Sequence, residues 1–314
     1  MKVVYPVCYS VDVHKSFFTA TIISIASDIQ PNYSRKRFST FNNDIIRFAD
    51  WLSLNNCNDV CMESTGKYWI PVFNILESKN INVTIANPKW VKAVKGNKDD
   101  KKDSKWIGDL FRLGLVPGSF IPSKPIRVLR EFTRYRYKLV SMKSSEKNRF
   151  QNAFTVCNIG LESIEGYQIT KEQKLRMNTV RSHLTYIENS IKYLDDTIDS
   201  MVTPYESLIA LMCTIPGIER KSAITVISEI GNDVSLFGSS KRLCSWAGLT
   251  PGSNESAGKK KSVRISWAGV YLKPALVEIA HCAVKSTKSP YYKSKYEKLV
   301  KRRGKERAII AIVR

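Results

Sequence analysis

Three consecutive stretches near the start of the chain, residues 3–13, 17–26 and 35–41, are dominated by β-branched and aromatic side chains, and this run of strand signals limits the fold more than any other feature. A Pro31-Asn32 turn signal precedes the third stretch. Asn42-Asn43-Asp44 then offers an N-cap to the helical pattern Ile45, Ile46, Phe48, Ala49, Leu52. A short strand over 59–63, a helix over 68–78 and a strand over 82–86 complete a β-β-β-α-β-α-β order. That order predicts an α/β sheet with helices packed on it.

At 314 residues the default expectation is two globular units, with further division by composition. A charge-dense segment, 96–103, leads into Trp106, Ile107, Leu110 and Leu113 at helical spacing, until Val116-Pro117-Gly118 breaks the pattern. The first domain is therefore set at 1–118. Residues 125–154 and 171–202 read as long amphipathic helices, carried by Ile126, Leu129 and Phe132 and by Tyr186, Ile187, Ile191, Leu194 and Ile198. They predict an antiparallel, coiled-coil-like helical arm over 119–203, whose polar faces are either solvated or used for RNA binding or oligomerisation. The rest, 204–314, reads as a mainly α domain. In it, Ile215-Pro216-Gly217-Ile218, followed by the run Ala223, Ile224, Val226, Ile227 and closed by Glu229-Ile230-Gly231, has the form of a helix-hairpin-helix. Gly217 would let backbone N–H groups at a helix start approach a phosphate, or would serve only the turn.

Fifty Lys and Arg against 28 Asp and Glu leave a net charge of +22, which calls for a polyanionic partner. A membrane surface would also satisfy this charge. However, no run of about 18 apolar residues occurs, and the start lacks a signal-peptide layout. The expectation is an intracellular nucleic-acid-binding protein, off the membrane. Seven scattered cysteines without a CxxC pair read as reduced and semi-buried.

Four acids stand out against this basic background. Asp12 interrupts the apolar run Val11–Val13, where a carboxylate is costly unless paired or metal-bound. Glu63 ends a strand within Cys61-Met62-Glu63-Ser64-Thr65-Gly66, at the carboxyl end where open α/β sheets place ligands. Asp100 and Asp103, three apart, share one face if helical. Converging carboxylates are what Mg²⁺-dependent phosphodiester chemistry needs, because Mg²⁺ prefers oxygen ligands. Singly, each acid has another reading: Asp12 paired with Lys15, Glu63 at an edge, the Asp/Lys run a solvated helix start.

In order, Ser10-Val11-Asp12-Val13-His14-Lys15, Met62-Glu63-Ser64-Thr65-Gly66, Asn87-Pro88 and Gly96-Asn97-Lys98-Asp99-Asp100-Lys101-Lys102-Asp103-Ser104 resemble the DEDD domain of the insertion-sequence 110 family of transposases, relatives of Piv-type DNA invertases. Ile215-Pro216-Gly217-Ile218, Ser245-Trp246-Ala247-Gly248-Leu249-Thr250-Pro251 and Asn254-Glu255-Ser256-Ala257-Gly258-Lys259 resemble the family's C-terminal transposase domain. The resemblance implies a ribonuclease H-like (RuvC-like) first domain. It also implies that Asp12, Glu63, Asp100 and Asp103 hold Mg²⁺, as a pair of ions, and that Ser256 is a serine nucleophile. Lys259, Lys260, Lys261 and Arg264 would hold the scissile phosphate. Ser253 competes for the nucleophile's role, and Ser256 as an ordinary loop serine is the alternative. The resemblance further implies a composite site that makes a transient serine–DNA phosphodiester, a homo-oligomer, and an element-encoded RNA that guides the choice of DNA. Rival readings are a RuvC-like nuclease or junction resolvase that uses water, and a non-catalytic nucleic-acid binder.

Near the end, Lys285, Lys288, Tyr291, Tyr292, Lys293, Lys295, Tyr296, Lys298 and Lys301-Arg302-Arg303-Gly304-Lys305 suit phosphate binding and base stacking, or a solvated helix face over core tyrosines. Three departures from the family pattern stand out. Ser10 replaces a usual Gly, 154–168 is short for the region between the helices, and the chain stops inside the apolar run 307–314, so a helix cut at its end is expected.

Overall fold

The computed structural model describes residues 3–25, 31–64, 66–91, 100–157, 169–252, 254–262, 264–266, 268–287 and 289–314; the side chains at 25, 89, 90, 100–103, 254–256 and 260–262 fall outside the description. The chain divides into two compact units, Met1–Ile121 and Pro122–Arg314.

The first unit runs β1 (Val7–Val13), β2 (Phe17–Ile25), β3 (Pro31–Ser39), α1 (Asn42–Leu54), β4 (Asp59–Glu63), α2 (Trp69–Ser78), β5 (Asn82–Ala86), α3 (Pro88–Val91) and α4 (Asp100–Arg112). Its sheet has the order β3-β2-β1-β4-β5, with β1, β2 and β3 antiparallel and β1, β4 and β5 parallel. This order and sense are those of a ribonuclease H-like sheet, as the sequence resemblance implies.

Alternation along the strands builds two cores. Tyr9, Val11 and Val13 join Phe18, Val60 and Met62 against Phe48 and Leu52 of α1 and Val72 and Leu76 of α2. Cys8, Ile23, Cys61 and Ala86 point to the opposite face and pack on Ile107 and Phe111 of α4. Gly108 is where α4 comes closest: a Cβ there would collide with the Ile23 side chain and stand 2.8 Å from Ser10 Oγ.

Two local readings need correction. Pro31-Asn32 opens β3 instead of forming a turn before it, and a proline is tolerated at the first residue of an edge strand, where no ladder donor is lost. The N-cap of α1 is Phe41, not an Asn: the Ile45 N–H already bonds the Phe41 carbonyl at 3.1 Å, and Asp44 turns back to accept the Ser39 hydroxyl at 2.6 Å.

The second unit holds α5 (Lys124–Val156), α6 (Lys171–Val202), α7 (Glu206–Cys213), α8 (Arg220–Ile230), α9 (Ser240–Trp246), β6 (Asn254–Ser256), β7 (Lys259–Ser262), α10 (Leu272–Lys285), α11 (Pro290–Arg303) and α12 (Lys305–Val313). Helices α5 and α6 run antiparallel: Ile126 and Leu129 meet Ile198 and Val202, Leu139 meets Ile187 and Leu194, and Lys143 pairs with Glu188 at 2.8 Å. Thr170 and Gln173 close a capping box that starts α6.

The same α5 is tied to the end of α8. Arg134 makes two 2.7 Å hydrogen bonds to the Glu229 carboxylate, and Arg130 donates to the carbonyls of Ser228 and Glu229 at 2.9 and 2.6 Å. Those carbonyls lie in the last turn of α8, where a cation also complements the helix dipole. The apolar run lies in α12 up to Val313; Ala308, Ile309 and Ile312 are buried, with Ile309 and Ile312 packed against Ala280 of α10.

All seven cysteines are free. Among the described residues no helix is long and apolar enough to cross a membrane.

Candidate active site

The parallel ladder between β1 and β4 pairs Tyr9 with Val60, Ser10 with Cys61 and Val11 with Met62. One step further along both strands stand Asp12 and Glu63. Adjacent strands lie about 4.8 Å apart, so the two acids are lateral neighbours on the face that bears Ser10 and Cys61. Glu63 is the last residue of β4 and half-buried, whereas Asp12 is 8% exposed inside an apolar strand. A carboxylate so placed needs partners. His14 Nε2 comes within 3.2 Å of Asp12 Oδ2. The Lys15 pairing is absent from the ion pairs of the described residues.

Helix α4 covers the same face and runs opposite to β1. Its last residue, Arg112, accepts the backbone N–H groups of Val4 and Tyr5 through its carbonyl, at 2.9 and 3.2 Å. Toward its start, the Ser104 carbonyl accepts the Ser10 hydroxyl, and the Ser104 and Thr21 hydroxyls bond at 2.9 Å. Ser104 is wholly buried and fixes the register of helix on sheet. Four residues before it, about 6 Å along the helix axis, lies Asp100; two residues beyond Ser10, about 7 Å along the strand, lies Asp12. The first turn of α4, with Asp100 and Asp103, thus reaches the level of Asp12 and Glu63. The carboxylates at 100 and 103 lie outside the described residues. Among the described residues no group of three or more metal-ligating side chains converges.

Donor chemistry fits a hard divalent cation: the acids supply oxygen, and the neighbouring thiol stays protonated. Burial pushes the Cys61 thiol upward, with the charge of Glu63 adding to the effect. Burial likewise pushes Cys8 up to about 12.

In the second unit Ser256 ends β6 and pairs with Lys259 across a two-residue turn. Ala257 and Gly258 both have positive φ, +49° and +74°, as a type I′ hairpin turn requires. The tip residues Ala257, Gly258 and Lys259 are exposed. An alanine in the left-handed region costs about 1 kcal/mol, so the turn next to Ser256 is held against a local preference. Lys260 and Lys261 continue β7, and Arg264, exposed, follows it with its carbonyl accepting the Gly252 N–H at 3.0 Å. The side chains of Ser256, Lys260 and Lys261, and all of Ser253, lie outside the described residues.

Gly217 sits in the turn between α7 and α8 at φ +88°. A Cβ there would meet the Ile279 carbonyl at 2.5 Å and the Ala283 nitrogen at 2.6 Å, so α10 packs directly on this glycine. That is a packing reason for the residue that applies with or without a phosphate. At the adjoining helix start, the Glu219 N–H is already taken by the Ser222 hydroxyl at 2.9 Å.

Sequence reasoning missed the Ser10–Ser104–Thr21 lock and the hairpin around Ser256. Strands as polar as Asn-Glu-Ser and Lys-Lys-Lys-Ser carry no apolar alternation to reveal them.

A carboxylate pair at the carboxyl ends of parallel strands in a ribonuclease H-like sheet defines a class, the nucleic-acid-processing proteins of that fold. Residues 10–159 match the DEDD family model described as Transposase, and residues 209–297 match the Transposase IS116/IS110/IS902 family. The two matches together take in well over half of the chain, which belongs to this family of transposases. Pilin gene-inverting proteins of Moraxella lacunata and Moraxella bovis are each 24% identical, with 97% of this chain and 91% of the relative aligned. A protein of Sinorhizobium fredii named as a transposase, y4qE, is 22% identical over 63% of this chain, and the alignment spans about half, 51%, of that relative. Thermus thermophilus RuvC aligns with 37% of this chain and 83% of its own at 12% identity, with a TM-score of 0.25.

Proposed function

We propose that this transposase cuts and rejoins DNA at the ends of a mobile element, using Mg²⁺ held by Asp12, Glu63, Asp100 and Asp103 and the hydroxyl of Ser256. The observation that carries the reading is the adjacency of Asp12 and Glu63 at the strand ends, with the first turn of α4 drawn level with them by the Ser104 lock. Bound Mg²⁺ would supply Lewis-acid polarisation of the scissile phosphate.

The protein's own groups do the rest. Asp12 and Glu63 present oxygen ligands from a rigid sheet, and the buried serine lock keeps α4 from shifting. Ser256 replaces one DNA oxygen at phosphorus: the serine O–P bond forms, the P–O bond to that DNA oxygen breaks, and the serine proton ends on this oxygen, which leaves as a hydroxyl; the resulting serine–DNA phosphodiester keeps the bond energy needed for rejoining. Lys259, Lys260, Lys261 and Arg264 neutralise the phosphate as charge builds on it. The helix-hairpin-helix around Gly217 holds flanking backbone, the polar faces of α5 and α6 bind a guiding RNA encoded by the element, and the working form is a homo-oligomer. The site of action is the nucleoid.

Incubation of the protein with its own element-end DNA, element RNA and Mg²⁺ tests the reading. A denaturant-resistant protein–DNA adduct is expected, lost in Ser256→Ala and retained in Ser253→Ala. Cleavage that persists in Ser256→Ala without an adduct would instead mean attack by water.

A further inference from the structure

Sheet register extends the acid row to the edge of the first unit. Asp12 pairs with Thr19 on β2, and Thr19 pairs with Arg37 on β3. Directly opposed residues of antiparallel strands share a face, so Glu63, Asp12, Thr19 and Arg37 form one row across β4, β1, β2 and β3. The neighbouring row behaves the same way. Ser10, Thr21 and Arg35 are in register, and Arg35 Nε donates to Thr21 Oγ1 at 3.3 Å on the face covered by α4.

The Arg37 side chain leans toward the end of the sheet where the acids sit. Its guanidinium lies 3.5 Å over the Phe17 ring, Phe17 packs against His14 with centroids 4.6 Å apart, and His14 touches Asp12. Stacking fixes the plane of the guanidinium and leaves its in-plane N–H groups available. Arg37 is exposed and, among the described residues, makes no ion pair. Two strand spacings put its Cα about 10 Å from that of Asp12, a distance spanned by a few nucleotides.

We propose that Arg37 is a DNA-phosphate-binding residue that lays the strand to be cut across the sheet edge and onto the acid row. An acid cluster repels the polyanion it must act on, and a bidentate cation a few nucleotides away offsets that repulsion and fixes the strand's direction. This proposal rests on the acid-site reading above.

Lys36 provides the control. It is the next residue on the same strand, carries the same charge, and lies on the opposite face, 4.8 Å over the Trp51 ring. Binding of fluorescein-labelled element-end duplex is measured across a salt series, and Mg²⁺-dependent cutting is measured in parallel, for Arg37→Ala, Arg37→Lys, Lys36→Ala and Asp12→Asn, each checked by thermal melting. Arg37→Ala is expected to bind about tenfold more weakly, with a salt slope shallower by about one, and to cut correspondingly less. Arg37→Lys should recover part of both, and Lys36→Ala should stay within about threefold of the parent. Equal losses in Arg37→Ala and Lys36→Ala, or none in Arg37→Ala, while Asp12→Asn is inactive, would overturn the role of Arg37 alone. Undiminished cutting by Asp12→Asn would overturn the acid-site reading and the proposal with it.

Discussion

Asp12 and Glu63 stand side by side at the carboxyl ends of two adjacent parallel strands, one step beyond the Val11–Met62 pair. Parallel pairing puts equivalent positions on one face, so two acids some fifty residues apart in sequence become neighbours without any loop having to bring them together.

If these acids serve as cation ligands, each neutral isostere removes activity and leaves the fold in place. Asp12→Asn and Glu63→Gln are expected to lower Mg²⁺-dependent cutting by about a hundredfold or more, with circular dichroism and melting close to the parent's. An active Glu63→Gln protein would assign the acid a structural role.

The tie between α5 and α8 is a bidentate ion pair between a buried Glu229, whose side chain is 5% exposed, and a partly exposed Arg134. Solvent already screens Arg134, and Arg130 still faces Glu229 once Arg134 is gone, so Arg134→Ala is expected to destabilise the second unit by about 1–2 kcal/mol. Arg134→Ala combined with Glu229→Met should cost less than Arg134→Ala alone. Urea unfolding of the variants measures both.

Two glycines with positive φ should respond differently to alanine. At Gly217 the new Cβ meets the backbone of α10, whereas at Gly258 nothing lies within 4 Å. Gly217→Ala is expected to cost at least about 3 kcal/mol, strain and overlap together, and Gly258→Ala about 1 kcal/mol. Melting temperatures of the two proteins read the contrast.

Thiol chemistry should follow burial. Cys213 and Cys282 are exposed, whereas Cys8, Cys57 and Cys61 are buried. Burial pushes Cys8 up to about 12 and Cys57 up to about 11 from a usual 9.0. A raised thiol stays protonated in the folded chain while the unfolded chain ionises. Its contribution to stability is therefore full below about 9 and is lost as pH rises toward 12. Labelling of the native protein at mildly alkaline pH should consume the exposed cysteines first and the three buried ones only on unfolding, and stability should fall as pH climbs above 9.

Much of this was legible in sequence, for reasons specific to each element. The strands of β1, β2, β4 and β5 declare themselves through β-branched runs, and Asp12 and Glu63 stand out because an acid inside or at the end of such a run is costly. Register was not legible. That Ser104 fits under Ser10, or that Arg37 shares a row with Asp12, depends on which strand residues pair, and local pattern does not encode that pairing. Pro31 misled because edge strands tolerate what central strands do not. The β6–β7 hairpin escaped because its strands are short and polar, and its only sequence signal was the Ala257-Gly258 pair.

In the proposed reading, one divalent cation site joins Asp12 and Glu63 with the start of α4. Anomalous diffraction from crystals of the full chain grown with Mn²⁺ tests it most directly. An ion bound by carboxylate oxygens of Asp12, Glu63 and at least one of Asp100 and Asp103 is expected. Manganese bound only elsewhere, with the Asp100 and Asp103 carboxylates turned away from Asp12, would contradict it.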